Sequence, residues 1–126
     1  MADVLAADSC LDVLVNFAGI TPRGLEETLD FEKKWDVVLR INMKRTLLMC
    51  HAAVDAMRHQ RGGSIVNLAS IMGLISYHPD LPLSDGFNPY LHSKGGVIQI
   101  ARDLGVRLAP ARSVSMPSAQ GLFIPS

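Results

Sequence analysis

Two short apolar runs on either side of one long helical pattern constrain the fold of this chain more than any other feature. The runs cover residues 11–15 and 64–69 and are rich in β-branched and aliphatic residues. We expect each to form a strand that is buried on both faces. A helical pattern extends between them from about residue 30 to residue 59, with a joint near Asn42. Strand, helix, strand predicts two parallel strands joined by a right-handed crossover.

A second helix is predicted after a loop that follows the second strand. The loop, residues 71–88, is interrupted by prolines and glycines. Asn88 is suited to cap the helix, and Pro89 is suited to its first position. We expect the helix to end at Pro110. Its apolar stripe consists of Val97, Ile100, Ala101, Leu104 and Leu108.

The segment 46–57 is apolar on nearly all sides of its predicted helix. A helix of this kind is normally buried on all sides. A chain of 126 residues offers little material to cover it. We therefore expect a homo-oligomer whose interface involves the helices around 46–57 and 90–108.

Size and charge exclude several function classes. The chain forms one domain at most, and its 12 basic and 12 acidic residues cancel, so no nucleic-acid partner is expected. No signal peptide and no apolar stretch of about 18 residues is present, so no membrane association is expected. Cys10 and Cys50 have neither metal-ligand nor disulfide spacing, which favours reduced thiols and a cytoplasmic location. The four histidines share no metal-ligand spacing, so no metal site is expected.

Tyr90 and Lys94 form the most informative pair of side chains. Positions i and i+4 share one face of a helix, and the lysine side chain leans back toward the tyrosine. A phenol ordinarily ionises near pH 10, and a fixed ammonium nearby favours the ionised form. The pair therefore suits general acid–base catalysis. A lysine that extends along a half-buried ring toward solvent is the structural alternative.

Other polar residues point to the same edge of the predicted sheet. Parallel sheets bind ligands at the carboxyl ends of their strands. Residues 16–19 follow the first strand, and Ser70 follows the second. The helix that carries Tyr90 starts from the same edge. We expect these residues to meet at one rim, although Ser70 alone could simply end a strand and Asn42 could be a local hydrogen-bonding residue.

These motifs resemble the short-chain dehydrogenase/reductase family. Residues 11–19 resemble the family's strand that ends in Asn-Asn-Ala-Gly, and residues 63–70 resemble the strand that delivers its catalytic serine. Tyr90 and Lys94 match its Tyr-x-x-x-Lys pair, and Asn42 falls where the fourth member of its catalytic tetrad lies. The resemblance covers residues 11–110. It implies an α/β fold, namely a partial Rossmann-like domain from a doubly wound parallel sheet that lacks the first βαβ half.

The resemblance also implies an activity and a role for each residue. The chain would be an NAD(P)-dependent oxidoreductase that interconverts a small carbonyl compound and a secondary alcohol by hydride transfer. Tyr90 would be the general acid and base, Ser70 would donate a hydrogen bond to the substrate oxygen, and Asn42 would hold a water that links Lys94 to solvent. NAD or NADP, with no readable preference, would be bordered by Asn16, Ala18, Gly19, Tyr90 and Lys94.

The sequence departs from the family pattern in several places. It contains no Gly-x-x-x-Gly-x-Gly turn to hold the cofactor's pyrophosphate. Phe17 replaces the second asparagine of the Asn-Asn-Ala-Gly motif, and residues 113–126 are expected to form an irregular tail. We therefore expect a fragment of a longer family member. The alternative function is a non-catalytic fragment that cannot bind the dinucleotide and at most associates with other subunits.

Overall fold

A computed structural model describes residues 10–60, 62–108 and 121–124. The strands are β1 (Val13–Asn16), β2 (Gly63–Asn67) and β3 (Gly121–Ile124). The helices are α1 (Phe31–Leu39), α2 (Arg45–His59) and α3 (Pro89–Leu108). One π-helical turn, Arg40–Lys44, joins α1 to α2, and two short 3-10 helices cover Pro22–Gly24 and Ile71–Gly73. This order of elements agrees with the predicted α/β class.

The sheet has the order β1-β2-β3 and is mixed. β1 and β2 are parallel, with Val13 opposite Ser64 and Asn16 opposite Asn67. This pairing confirms the predicted parallel strands. β3 pairs with the other edge of β2 in the antiparallel direction. The prediction of an irregular tail over residues 113–126 is therefore wrong for Gly121–Ile124, because the open edge of β2 gives this segment backbone hydrogen-bonding partners. Residues 113–120 and 125–126 lie outside the described part of the chain.

The main hydrophobic core lies between one face of the sheet and the inner sides of α2 and α3. Gly63 of β2 permits close packing there, since a Cβ at this position would lie 2.5 Å from Sδ of the buried Met57. The core consists of Leu11, Leu14, Cys50, Ala53, Val54, Met57, Ile65 and Leu108.

The opposite face of β1 contradicts the prediction of a strand buried on both faces. Val13 and Val15 are 55% and 53% exposed, whereas Leu14 is buried. Successive side chains of a strand point to opposite faces of the sheet. Among the described residues, the helices cover only the face that carries Leu14, so the prediction holds for one face and is wrong for the other.

The long predicted helix is jointed where the sequence indicates. Asp30 caps α1 by accepting a hydrogen bond of 2.8 Å from the backbone N–H of Lys33. The π turn then places Asn42 between α1 and α2. Within the described residues, no helix is both long and apolar enough to cross a bilayer. The cytoplasmic location stays a prediction.

Candidate active site

The first turn of α3 places Tyr90 at the rim of the sheet. Asn88 caps the helix as predicted, because its Oδ1 accepts a hydrogen bond of 3.0 Å from the N–H of Tyr90. The amide of the same side chain donates to the carbonyl of Leu83 at 3.0 Å, which fixes the preceding loop to the helix. Nζ of Lys94 lies 5.8 Å from the centre of the half-buried Tyr90 ring. The two side chains therefore share one face of α3, as the spacing predicts.

Lys94 is buried and ends at the carboxyl end of β2. Only 5% of the residue is exposed, and its ammonium donates a hydrogen bond of 2.6 Å to the carbonyl of Leu68. The N–H of Leu68 in turn donates to the carbonyl of Asn16 across the parallel pair. Burial lowers the pKa of Lys94, since desolvation disfavours the charged form. The ammonium is thus held against the strand ends and does not extend into solvent. This geometry contradicts the alternative in which the lysine runs along the tyrosine ring toward solvent.

Gly19 brings the turn after β1 against the same cation. A Cβ at this position would lie 3.4 Å from Nζ of Lys94 and 3.6 Å from Oδ1 of Asn42. Any larger side chain would fill the space beside the ammonium. The predicted meeting of the Gly19 turn with Lys94 is therefore present in the structure.

Asn42 is almost fully buried and ties three segments together. Its Oδ1 accepts from the N–H of Ile20 at 2.8 Å, and its Nδ2 donates to the carbonyl of Ile20 at 2.8 Å. Nδ2 also donates to Oγ of Ser93 at 3.0 Å, and this hydroxyl donates to the carbonyl of Tyr90 at 2.8 Å. The side chain thus connects the π turn with the loop after β1 and with the first turn of α3. Its role in holding a water stays a prediction.

Asn16 lies in a second polar cluster beneath the strand ends. Its Nδ2 donates to Oδ1 of Asn67 at 2.7 Å and contacts Sγ of Cys50 at 3.4 Å. Burial raises the pKa of the Cys50 thiol, against the opposing effect of its hydrogen bonds with Asn67 and Asn16. That Asn16 borders a cofactor stays a prediction, since its side chain is engaged with these neighbours. Sequence reasoning missed Asn67 and Cys50, although an asparagine at the end of each paired strand was the available signal.

Ser70 begins the 3-10 helix that follows β2. Its Oγ accepts a hydrogen bond of 3.2 Å from the N–H of Met72, and its carbonyl accepts one of 2.9 Å from the N–H of Gly73. The residue is half-buried. No hydrogen bond joins Ser70 to Tyr90 in the described part of the chain.

A line of aromatic rings supports the start of α3 and was missed from the sequence. The Phe31 and Phe87 rings meet edge to face with their centres 6.4 Å apart. Trp35 lies 6.0 Å from Phe31 and 5.0 Å from the ring of His92. The line connects α1, the end of the loop and the outer side of α3. Phe31 and Trp35 are four positions apart in α1, whereas Phe87 and His92 come from segments far along the chain, so no local pattern indicates the whole line.

A cavity of about 480 Å³ lies beside the loop that follows Ser70. Residues of the 3-10 helix, the loop and α3 line it, including Met72, Leu74, Ser84, Leu91 and His92. Ser70, Tyr90 and Lys94 are not among its lining residues, so the cavity is adjacent to these side chains rather than formed by them.

The residues present fit the ribose end of a nicotinamide dinucleotide. An ammonium carries three N–H donors, of which Leu68 takes one in the described structure, and Tyr90 adds a hydroxyl. The two groups suit a pair of ribose hydroxyls, and Gly19 leaves room beside them. The glycine-rich turn that would hold the pyrophosphate is absent from the sequence.

Comparison with known proteins points to one family. Residues 1–119 match the family model described as short chain dehydrogenase. The chain is 32% identical over 124 residues to the 3-oxoacyl-(acyl-carrier-protein) reductase FabG of Staphylococcus aureus, with 98% of this chain and 47% of that protein covered. It is 36% identical over 108 residues to the cyclopentanol dehydrogenase of Comamonas testosteroni, with 85% and 40% covered. The chain thus spans half or less of the length of these curated relatives.

A solved structure supports the predicted fold. A Burkholderia xenovorans protein assigned to the short-chain dehydrogenases/reductases superposes with a TM-score of 0.71 at 33% identity. The superposition covers 86% of this chain and 39% of that one. This match and the parallel β1–β2 pair confirm the predicted fold class, a partial Rossmann-like α/β domain.

Proposed function

The chain belongs to the short chain dehydrogenase family, and on that premise we propose that it is an NAD(P)-dependent oxidoreductase. The reaction interconverts a small carbonyl compound and a secondary alcohol. The observation that carries the proposal is the buried ammonium of Lys94, which lies beside the Tyr90 ring and against the Gly19 turn. A buried cation without a carboxylate partner among the described residues suits a group that acts on a neighbouring proton donor.

In the proposed mechanism, residues of this chain move a proton, and a dinucleotide bound beside Lys94 and Gly19 would supply or accept the hydride. Tyr90 gives its hydroxyl proton to the carbonyl oxygen during reduction and takes it back during oxidation. Lys94 favours the phenolate that remains after the proton leaves. Ser70 donates a hydrogen bond to the same substrate oxygen and stabilises its developing charge.

The substrate class is supported by the names of the relatives. These proteins are named for a 3-oxoacyl group and for a cyclic alcohol. Both names describe carbon centres at the oxidation levels of a ketone and a secondary alcohol. We extend this class of substrate to the present chain.

The second candidate is a non-catalytic fragment, and one observation favours it. The sequence contains no glycine-rich turn that would hold a pyrophosphate. In that case the polypeptide binds no dinucleotide and at most associates with other subunits.

Dinucleotide titration separates the two candidates. NADH and NADPH are added to the purified chain, and quenching of its single tryptophan, Trp35, is followed. Saturable binding that weakens by roughly tenfold in Lys94→Ala supports the oxidoreductase, as expected for the loss of a charge-assisted hydrogen bond. If the folded chain binds neither nucleotide, the result supports the second candidate, a non-catalytic fragment.

Loss of the phenol tests the role of Tyr90. We expect Tyr90→Phe to lower kcat by about 10²- to 10⁴-fold, because general acid–base catalysis contributes about that much. Tyr77→Phe is the matched control, since it removes the hydroxyl of the other tyrosine. Carbonyl reduction is assayed with both nucleotides. A Tyr90→Phe chain as active as the control would remove Tyr90 from the proposed mechanism.

A further inference from the structure

The turn that carries Ser70 rests on the backbone of α3 at Gly73. A Cβ added at Gly73 would lie 2.7 Å from the carbonyl carbon of Lys94 and 2.8 Å from the amide nitrogen of Gly95. It would also lie 2.9 Å from Cδ1 of Ile98. Side-chain carbons do not tolerate such distances, and two of the three atoms belong to backbone that no rotamer change can move. With the backbone as it stands, only glycine fits at this crossing.

The opposite side of the crossing tolerates a methyl group. A Cβ on Gly95 would lie 3.4 Å from the carbonyl oxygen of Gly73, which is an ordinary contact distance. Gly95 is also within α3, where alanine is the most favourable residue. The close approach therefore depends on Gly73 and not on Gly95.

Gly73 and Ser70 are the two ends of one hydrogen-bonded turn. The N–H of Gly73 donates to the carbonyl of Ser70 at 2.9 Å. The Oγ of Ser70 accepts from the N–H of Met72 within the same turn. A displacement of Gly73 away from α3 is consequently transmitted to Ser70.

The point of contact on α3 is also tied to the proton-transfer pair. The carbonyl carbon of Lys94 is the atom that a methyl group on Gly73 would approach most closely, and Tyr90 lies one helical turn before it. The ammonium of Lys94 is fixed to Leu68, two residues before Ser70. The separation between Ser70 and Tyr90 is therefore set where Gly73 meets α3.

We propose that Gly73 is a positioning residue for the reaction: it seats the Ser70 turn on the Lys94–Gly95 backbone and so fixes the Ser70 hydroxyl relative to Tyr90. The inference rests on the proposed function. A substrate oxygen has to lie within hydrogen-bond distance of both hydroxyls. In this proposal Gly73 acts through Ser70 and not through contact with the reacting atoms.

Steady-state kinetics of Gly73→Ala test the inference. Because a displacement of about 1 Å costs roughly a hundredfold in rate, we expect a fall in kcat of that order. The dissociation constant for the dinucleotide should stay within about twofold, since Lys94 and Gly19 are unchanged. Gly95→Ala is the matched control and should keep kcat within about threefold of the parent chain.

A double-mutant cycle with Ser70→Ala separates positioning from general damage. If Gly73 acts through Ser70, Gly73→Ala lowers kcat little further once the hydroxyl is absent. Equal losses with and without the hydroxyl, or an equal loss in Gly95→Ala, would overturn the inference. Ile98→Val removes only Cδ1, the Ile98 atom that a Cβ on Gly73 would approach to 2.9 Å. If Gly73→Ala does not fold, Ile98→Val takes its place in the double-mutant cycle.

A readout independent of activity distinguishes this inference from the proposed function. In amide NMR spectra, Gly73→Ala and Ile98→Val should shift the Ser70 and Met72 resonances. Gly24→Ala should not, because no atom lies within 4 Å of a Cβ at Gly24. If the parent chain has no reductase activity, the proposed function is wrong. The resonance shifts alone then test whether Gly73 positions Ser70. Unchanged Ser70 and Met72 resonances in both test variants contradict the inference.

Discussion

At Lys94, burial and charge oppose each other. The residue is nearly enclosed, and its hydrogen bond goes to a neutral carbonyl, that of Leu68. No carboxylate among the described residues pairs with it. Desolvation without a counter-charge lowers the pKa of Lys94. Folding is therefore less favourable at pH values at which the lysine is charged. The same burial places a fixed positive charge at the candidate site.

The stability of the chain should depend on pH through this residue. Between the lowered folded pKa and the ordinary lysine value of 10.5, the unfolded chain binds more protons than the folded chain. Stability then rises with pH. We expect the free energy of unfolding of the parent chain to increase relative to Lys94→Met as the pH rises from neutral toward 10.5. Urea unfolding at several pH values measures this difference.

Lys44→Met is the control for the pH series, because Lys44 is exposed on the π turn and stays hydrated on folding. Its difference from the parent chain should not change over the same range. A difference for Lys94→Met that is equally constant would show that burial of Lys94 has no effect on proton binding.

Contacts within one helix were easier to predict than contacts between distant segments. Tyr90 and Lys94 are four positions apart, so a helical period alone brings them together. Asn42 bonds to Ile20 and Ser93, which are 22 and 51 positions away. Only the fold establishes contacts over such separations. The sequence therefore indicates Asn42 through the family resemblance and not through its contacts.

At the scale of elements, strand and helix periods predict most of the structure. The joint in the long helix coincides with the π turn at Arg40–Lys44. The predicted cap at Asn88 is confirmed by its hydrogen bond to Tyr90. The full burial of β1 was not correctly predicted, because an apolar run indicates the potential to be buried but not which covering elements are present.

The contact between β2 and α2 gives a test of packing. We expect Gly63→Ala to destabilise the chain by about 1–3 kcal/mol, because the new methyl overlaps Met57 in a filled core. The substitution Met57→Val in the same chain should restore part of this loss by vacating the space. Thermal and urea unfolding measure both effects. Gly24→Ala, in open surroundings, serves as the control.

If Gly63→Ala and Gly24→Ala have the same stability, Met57 does not constrain the glycine. If Met57→Val gives the same loss with and without Gly63→Ala, the two residues are not coupled. Either result contradicts the packing described for this face of the sheet.

At the scale of the whole molecule, the order of the predicted elements indicates the α/β class. The third strand, β3, could not be predicted in the same way. Residues 113–126 lack a strand period, and β3 forms because β2 has an edge to pair with. Pairing of this kind is a tertiary effect. The family, and the contact of Lys94 with the Tyr90 ring, were predictable because the motifs that carry them are local.

Oligomerisation is a prediction that belongs to this scale. Leu47 and Leu48 of α2 are 48% and 57% exposed. We propose that a second copy covers them, since apolar surface of this kind is stabilised by burial. Sedimentation should show a dimer or larger species, and Leu48→Glu should shift it toward the monomer. His59→Glu, at the end of α2, is the control, and a chain that is monomeric before substitution contradicts the proposal.

The parallel pairing of β1 with β2 also bears on the order of folding. The hydrogen bond from Asn16 to Asn67 and the one from Asn42 to Ser93 each join residues 51 positions apart. Closing loops of this length lowers the entropy of the chain before any stabilising contact forms. Proteins dominated by distant contacts therefore fold slowly. The helices, whose contacts are local, can form first. We therefore expect the candidate active site at the ends of β1 and β2 to be one of the last parts of the molecule to form during folding.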